Sequence, residues 1–240
     1  MEKSLSQLRV IGNPKLQDVS RISQLYDILK EIGGFSLKDV MDAVENLIEM
    51  YKNPEVTVFF SFTANIIATG MRAIISEMIA KGLVDVIFTT GGTIDHDIAK
   101  SLGAKYYEGF FEYDDIMLEK SGFHRLGNII IPKEDYGPLI EHFTHRCLEK
   151  ILNNFDNDTI ILGVRELLWK IGSEISDENS ILRQAYKNRI PIYSPGVTDS
   201  AFGTALMTFR EVLRTKGKKL MLDVLKDLKE LSSISFKAKK

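Results

Sequence analysis

The sequence is poor in the features that mark several large classes of protein. It has one cysteine, Cys147, so it can form no internal disulfide, and a cytoplasmic location is expected. No apolar run approaches the ~20 residues that span a bilayer, and the N-terminus lacks the apolar stretch of a signal peptide. The net charge of −2 provides no basic footprint for nucleic acid. We therefore expect a protein that binds neither nucleic acid nor membrane.

Several well-known catalytic motifs are also missing. The sequence has no Gly-x-Gly-x-x-Gly fingerprint, no Gly-x-x-x-x-Gly-Lys phosphate loop, no His-Glu-x-x-His and no Gly-x-Ser-x-Gly. His142 and His145 stand three residues apart on a predicted helix, but no further ligand is placed beside them. We interpret them as part of a solvated face and predict no metal site.

The patterning that is present predicts an α/β fold. With 240 residues and a hydrophobic fraction of 44%, the chain can form one large domain spanning residues 1–240. Strands buried on both faces are predicted at 56–61 and 84–90, with further strands at 128–131, 159–164 and 189–193. Helices are predicted at 25–32, 36–52, 66–80, 95–102, 137–153, 177–188, 200–214 and 220–231. This alternation indicates a mostly parallel sheet with helices on both faces, in a Rossmann-like arrangement.

The stretch from Val86 to Lys100 is the most informative part of the chain. A buried strand runs into a Thr-Thr-Gly-Gly turn, and a helix that opens on acidic residues follows. In an open α/β sheet, ligands lie outside the carboxyl ends of the strands, and a helix N-terminus there offers N–H groups to a phosphate. The segments 63–65 and 194–199 also follow predicted strands. Together these three segments predict a nucleotide pocket.

Each polar candidate also has a structural interpretation. Asp95 either takes part in function or caps a helix, whereas the role of helix cap is favoured for Asp97. His96 can titrate near neutrality and act as a general base or ligand contact, or it can be an ordinary surface residue. Asp199 can reach a ribose hydroxyl or cap the following helix. We interpret residues 122–128 as a loop and Trp169 as core packing.

Five stretches, in this order, resemble the deoxyhypusine synthase family. They are TVFFSFTANIIATGMRAIISEMIAKGLVDVIFTTGG, YYEGFFEYDD, GFHRLGNIIIP, ELLWKIG and IPIYSPGVTDSAFG. The Asp-His-Asp after the Thr-Thr-Gly-Gly turn is similar to archaeal-type members. Because the matches are ordered and extend over most of the chain, the resemblance is more specific than any single short motif.

The resemblance implies an NAD-dependent transfer of a 4-aminobutyl group. NAD takes hydride from spermidine, the resulting imine is cleaved to release 1,3-diaminopropane, and the butyl moiety passes to an enzyme lysine. From there it passes to a lysine of translation initiation factor five-A, and the retained NADH reduces the product. Family members are homotetramers, arranged as dimers of dimers, with sites at subunit interfaces.

The resemblance also assigns site residues. The implied NAD contacts are Ala64, Asn65, Ile66, Ile67, Ala68, Thr90, Gly91, Gly92 and Asp199. Asp95 and His96 are the implied catalytic pair, because they fall where the family commonly has two glutamates that meet the polyamine. A cationic chain prefers carboxylates, so the histidine implies a neutral acceptor or base. Thr204 falls where many members have another acid that faces the substrate.

The C-terminal part of the family has no counterpart in this sequence. In the family, a strand with a Gly-Gly-Gly turn and a Glu-Ala-Val-Ser-Trp-Gly-Lys stretch follow the region equivalent to 232–240, and the final lysine forms the covalent intermediate. An arbitrary lysine such as Lys240 does not replace a nucleophile whose surroundings must depress its pKa. We therefore expect a domain that lacks the catalytic-lysine segment. Two alternatives stay open: a noncatalytic paralogue that assembles with a complete synthase, and a related enzyme acting on another amine such as putrescine or agmatine.

Overall fold

A computed structural model describes residues 11–12, 14, 19–153, 155 and 157–238. The chain divides into two compact units, Met1–Val56 and Thr57–Lys240. The single domain expected from the sequence stays a prediction, as does its missing C-terminal segment. Lys240 lies outside the described residues.

The first unit contains two helices that are joined at a pair of glycines. Helix α1 covers Ile22–Ile32 and α2 covers Phe35–Lys52. Gly33 and Gly34 separate them with φ of +57° and +74°, a region that glycine adopts without strain. Gly34 holds the N-cap position of α2, so the helix begins one residue before the predicted start at 36. The predicted end of α2 before Asn53-Pro54 is confirmed.

The second unit combines parallel strands with helices and one antiparallel sheet. Its strands are β1 Phe59–Phe62, β2 Val86–Thr89, β3 Tyr107–Glu108, β4 Phe123–Leu126, β5 Ile129–Pro132, β6 Thr159–Leu162, β7 Ile192–Tyr193 and β8 Lys219–Leu222. Its helices are α3 Ala64–Ala68, α4 Arg72–Ala80, α5 Gly91–Ser101, α6 Asp115–Lys120, α7 Gly137–Leu152, α8 Val164–Glu174, α9 Ile181–Lys187, α10 Ala201–Thr215 and α11 Val224–Lys237. The predicted α/β class is confirmed, and the Rossmann-like arrangement stays a prediction.

Three small sheets make up the strand content of the described residues. Parallel strands form one sheet in the order β1-β2-β7, and β6 pairs with β8 in parallel. The third sheet, β3-β5-β4, is antiparallel. Residues 122–128, predicted as a loop, therefore contain β4, which turns into β5 at Gly127 with φ of +62°.

The first predicted strand is not buried on both faces. β1 lies at the edge of its sheet, and the Phe59 side chain is 40% exposed. Its apolar sequence was typical of a central strand, but only Phe62 is buried. Strand order, which depends on distant parts of the chain, decides this burial.

Two predicted helices differ in the structure. The helix predicted at 66–80 is broken into α3 and α4, because Thr69 donates its hydroxyl to the Ile66 carbonyl and Gly70 follows. The helix predicted at 220–231 begins with strand β8, which pairs with β6. Helix α11 starts only after Asp223, whose side chain accepts from the Lys226 N–H. Apolar spacing alone did not reveal the pairing partner of residues 219–222.

The hydrophobic core of the second unit joins α5, α7, α8, α9 and α10 to the strands. Ile94, Ile98, Ile140, Leu148 and Leu167 are fully buried in it. Trp169 packs against this core, as predicted, and donates its indole N–H to the Ile190 carbonyl at 2.9 Å. Within the described residues, no helix combines the length and the apolar character needed to cross a membrane.

Candidate functional site

Three chain segments leave the same edge of the parallel sheet. In the register of the sheet, Phe62 at the end of β1 lies beside Thr89 at the end of β2, and Phe88 lies beside Tyr193 at the end of β7. The segments 63–65, 90–92 and 194–199 therefore start at neighbouring carboxyl ends. This is the position at which open α/β sheets bind ligands.

Two glycines bring these segments into contact. A Cβ atom on Gly91 would lie 2.7 Å from the Ser200 Cβ and 3.1 Å from the Gly196 carbonyl oxygen. A Cβ atom on Gly92 would lie 2.8 Å from the Ala64 Cβ. The N-terminus of α5 therefore packs against the segment after β1 on one side and the segment after β7 on the other, at distances that only glycine permits.

Helix α5 begins without a side-chain cap. Thr90 occupies its N-cap position in an extended conformation, but its side chain accepts no hydrogen bond from the first turn. By contrast, Ser180 and Ser200 accept N–H groups at the starts of α9 and α10. The first N–H groups of α5 and the positive end of its dipole thus face the junction of the three segments.

The predicted cofactor residues occupy two different environments. Asn65, Thr90 and Asp199 are exposed at this edge of the sheet. Ala64–Ala68 forms helix α3, in which the side chains of Ile67 and Ala68 are buried at 0% and 3% exposure. The Thr63 hydroxyl donates to the Asn65 side-chain oxygen, which fixes that amide beside the turn.

Asp95 joins α5 to the start of α10. Its Oδ2 atom accepts the Ala201 N–H at 2.9 Å and its Oδ1 atom accepts the Phe202 N–H at 2.8 Å. The Tyr136 hydroxyl donates to Oδ2 at 2.9 Å. The residue is 2% exposed, and burial raises the pKa of Asp95 although these donors act in the opposite direction. The carboxylate therefore caps a helix in this structure.

Asp97 makes the equivalent connection to α9, so it caps another helix and not the start of its own, where the sequence interpretation placed it. Its carboxylate accepts the N–H groups of Ile181 and Leu182 at 3.0 and 2.9 Å and the Ser180 hydroxyl at 2.7 Å. It also forms a buried ion pair with Arg72 at 2.7 Å. Two acids separated by one residue thus hold two different helices, because positions i and i+2 of a helix point in different directions.

His96 is a buried, neutral ring and not the surface residue that one interpretation allowed. Its Nδ1 atom is hydrogen-bonded to the Tyr106 hydroxyl at 2.7 Å, and its ring centre lies 5.4 Å from that of Tyr136. Burial, with a smaller contribution from the Lys100 ammonium, lowers the pKa of His96 to about 4. The expectation of titration near neutrality is therefore wrong.

A cavity of about 240 Å³ adjoins this ring. Its walls are His96, His124, Arg125, Leu126, Ile131 and Tyr136. The neutral imidazole of His96 and the phenol of Tyr136 both line this space. Tyr106, Tyr136 and His124 come from distant parts of the sequence, and no local pattern singled them out.

Lys100 is a structural residue that the sequence interpretation missed. Its ammonium donates to the carbonyls of Ile67, Ala68 and Thr69 at 2.8, 2.7 and 2.6 Å. A cation at the C-terminus of α3 satisfies carbonyls that have no partner in the helix. Burial lowers the pKa of Lys100 to about 8.

A larger cavity of about 540 Å³ lies between α10 and β8. Thr204 is exposed on its wall, together with Met207 and Leu222. The charged residues of this wall are Arg210 and Lys219. No acidic side chain lines this cavity, which does not favour a cationic occupant.

The two histidines of α7 have separate roles. His142 is exposed, whereas the Nε2 atom of His145 is hydrogen-bonded to the Ala205 carbonyl at 3.0 Å and the Thr208 hydroxyl at 2.9 Å. His145 thus contacts α10, and its assignment to a solvated face is wrong. Among the described residues, no cluster of three or more His, Cys, Asp or Glu side chains is arranged to hold a metal ion.

Comparisons with known proteins agree on one family. The family model for deoxyhypusine synthase matches residues 24–240. A protein of Ignicoccus hospitalis named "Probable deoxyhypusine synthase" is 43% identical over 226 residues, which cover 94% of this chain and 69% of that protein. One of the same name from Sulfurisphaera tokodaii is 41% identical over 225 residues, with the same coverage. A crystal structure of an Entamoeba histolytica protein described as a deoxyhypusine synthase superposes with a TM-score of 0.61 at 20% identity, covering 89% of this chain and 71% of that one.

Proposed function

The chain belongs to the deoxyhypusine synthase family, and on this premise we propose that it binds NAD and transfers the 4-aminobutyl group of spermidine to a lysine of translation initiation factor five-A. The observation that carries the proposal is the junction of three segments at the uncapped N-terminus of α5. Gly91 and Gly92 allow the three segments to pack closely together there, which brings the first N–H groups of α5 beside the segments after β1 and β7.

The residues at this junction fit a dinucleotide. The free N–H groups of α5 suit a pyrophosphate, because both the N–H groups and the helix dipole favour an anion. The exposed Asp199 carboxylate suits a ribose hydroxyl, and the Asn65 amide can accept and donate. When bound, NAD supplies the hydride acceptor and donor for the amine, while the protein fixes its position.

The amine would lie beside α5, in the cavity next to His96. The neutral imidazole can accept a hydrogen bond from an amine, since its pKa of about 4 keeps it unprotonated at neutral pH. Asp95 would act by holding the N-terminus of α10, and with it the segment that carries Asp199, in place. In this proposal Asp95 is a positioning residue and His96 faces the substrate.

A glycine substitution tests the cofactor site. Because the Cβ of Gly92→Ala would lie 2.8 Å from the Ala64 Cβ, we expect it to push α3 from α5 and weaken NAD binding by about tenfold or more. Gly70→Ala is the matched control, since a Cβ there has no neighbour within 4 Å. Calorimetric titration of both variants and the unmodified chain with NAD measures the effect. Equal affinity for all three proteins would contradict the proposed site.

A second candidate is a noncatalytic paralogue that assembles with a complete synthase. The observation in its favour is that both oxygens of Asp95 cap α10 and that His96 is neutral, so neither position offers a free carboxylate to a polyamine. Co-expression with a complete synthase and native mass spectrometry separates the two functions. Mixed oligomers without activity in the chain alone favour the paralogue, and exclusive self-association removes it.

A transferase acting on another amine, such as putrescine or agmatine, is the corresponding alternative within the enzyme class. The wall of the cavity beside His96 contains no acidic side chain, which favours an amine with fewer charges than spermidine. The proposal also includes a homotetramer, organised as a dimer of dimers, and a cytoplasmic location. Both rest on family membership alone. Product analysis with each amine identifies the substrate.

A further inference from the structure

An exposed apolar surface covers the antiparallel sheet and α6. It consists of Tyr107, Phe110, Phe111, Tyr113, Ile116 and Met117, which we call the aromatic patch. Phe110 is 70% exposed and Phe111 is 66% exposed. Side chains of this size rarely stand together on a surface that contacts only water, so such a patch marks an interaction site.

The aromatic patch is held in a defined arrangement. The rings of Phe110 and Tyr113 lie 6.1 Å apart, and a Cβ on Gly109 would lie 3.1 Å from the Tyr113 hydroxyl. A Cβ on Gly127 would lie 3.3 Å from the Phe111 ring, so this ring covers the turn between β4 and β5. Rings of the loop between β3 and α6 that already contact one another or the β4–β5 turn can bind a partner with less loss of side-chain entropy than free rings.

The segment that carries the patch is rich in acids. Residues 107–119 include five acids, Glu108, Glu112, Asp114, Asp115 and Glu119, and no lysine or arginine. Arg125 pairs with Asp115 and Lys133 pairs with Glu119. Glu108 and Glu112 form no ion pair within the described part of the chain. The patch therefore carries uncompensated negative charge, which complements a basic partner.

The same charge argues against a second copy of the chain in a symmetric contact. A two-fold interface places the same patch on both sides, so the acids of one copy would face a surface that carries the same excess of acids. Like charges across an interface cost free energy. A partner that brings lysine or arginine side chains has no such cost.

The patch also lies next to the cavity beside His96. Tyr107 follows Tyr106, whose hydroxyl is hydrogen-bonded to His96. Leu126 is 38% exposed and belongs to the cavity wall, and Phe111 covers the glycine that follows it. A protein segment on the patch could therefore extend a side chain from the surface toward the candidate site.

We propose that the aromatic patch is the docking surface for the lysine-bearing acceptor protein of the transfer reaction, a partner that presents basic side chains around an apolar contact. This inference rests on the proposed function, because the acceptor lysine defines the partner. The apolar rings supply buried area, and the acids select and orient the basic segment.

The test measures binding of purified translation initiation factor five-A to the full chain and two pairs of variants. Glu108→Lys/Glu112→Lys is compared with Glu211→Lys on α10, and Phe110→Ala/Phe111→Ala is compared with Phe236→Ala, whose ring is 92% exposed on α11. We expect each patch variant to weaken binding by about tenfold or more and the charge reversal to remove most of its salt dependence. The exposed positions leave the fold unaffected, which circular dichroism confirms.

Other results overturn the inference in distinguishable ways. Binding that is equal in patch and control variants, with NAD still bound, removes the docking surface and leaves the proposed function standing. If the unmodified chain binds neither the factor nor NAD, both the inference and the proposed function are wrong. A concentration-dependent self-association that the patch variants abolish assigns the surface to a second copy and overturns the basic partner.

Discussion

Replacing Asp97 by alanine is expected to lower the free energy of unfolding by about 3–5 kcal/mol, the range found when one partner of a buried ion pair is removed. Asp97 is fully buried and accepts from Arg72, Ser180 and two N–H groups of α9. Its removal leaves the Arg72 guanidinium with a single carboxylate partner, Asp177 at 2.8 Å. Chemical unfolding of the purified variant measures the change.

Two further variants separate the effect of the buried Arg72 charge on stability from the effect of the α9 cap. Arg72→Met in the Asp97→Ala background removes the buried cation that has lost one of its two carboxylate partners, so we expect it to restore part of the lost stability. Glu211→Ala, at an exposed position of α10, serves as control and should change stability by less than about 0.5 kcal/mol. A loss below about 1 kcal/mol for Asp97→Ala would show that the acid does not organise α5, α4 and α9 as described.

Lowering the pH from 7 to 4 is expected to cost the unmodified chain about 3 kcal/mol more stability than it costs His96→Gln. The unfolded chain takes up a proton at His96 near its ordinary pKa of 6.5, whereas the folded chain does so only near 4. Between these values the unfolded state binds more protons, so stability falls as the pH falls through this window. The comparison cancels the titration of groups that both proteins share.

The measurement is urea unfolding of both proteins at several pH values. His124→Gln changes an exposed histidine of the same cavity and should keep the pH dependence of the unmodified chain. Parallel pH profiles for the unmodified chain and His96→Gln would mean that His96 is accessible to water and charged in the folded state. The cavity would then not offer the neutral ring on which the proposed amine site depends.

The sequence predicted the segments that form the junction but not the contacts that fix its acids. Strand ends followed by Thr-Thr-Gly-Gly or by Ser-Pro-Gly are local signals, so the segments after β2 and β7 could be placed without a structure. The partners of Asp95 are Tyr136, Ala201 and Phe202, which lie 41, 106 and 107 residues away in sequence. No local rule reveals which helix each of these two acids, one residue apart in sequence, will cap.

Two errors in the predicted fold also arise from contacts between distant parts of the sequence. Residues 219–222 have apolar residues at helical spacing but form β8, because β6 offers a parallel edge. The aromatic run at β1 was typical of a central strand, yet the strand order leaves it at an edge. In both cases the choice depends on tertiary pairing, which local propensity does not determine.

The central claim is that a dinucleotide binds where the segments after β1, β2 and β7 meet at the start of α5. Titration of the ¹⁵N-labelled chain with NAD, followed through the backbone amide signals, tests it most directly. We predict saturable shifts that are largest at Gly91 and Gly92 and that extend to Asn65 and Asp199. Shifts confined to other parts of the chain, or none at millimolar NAD, would contradict the account.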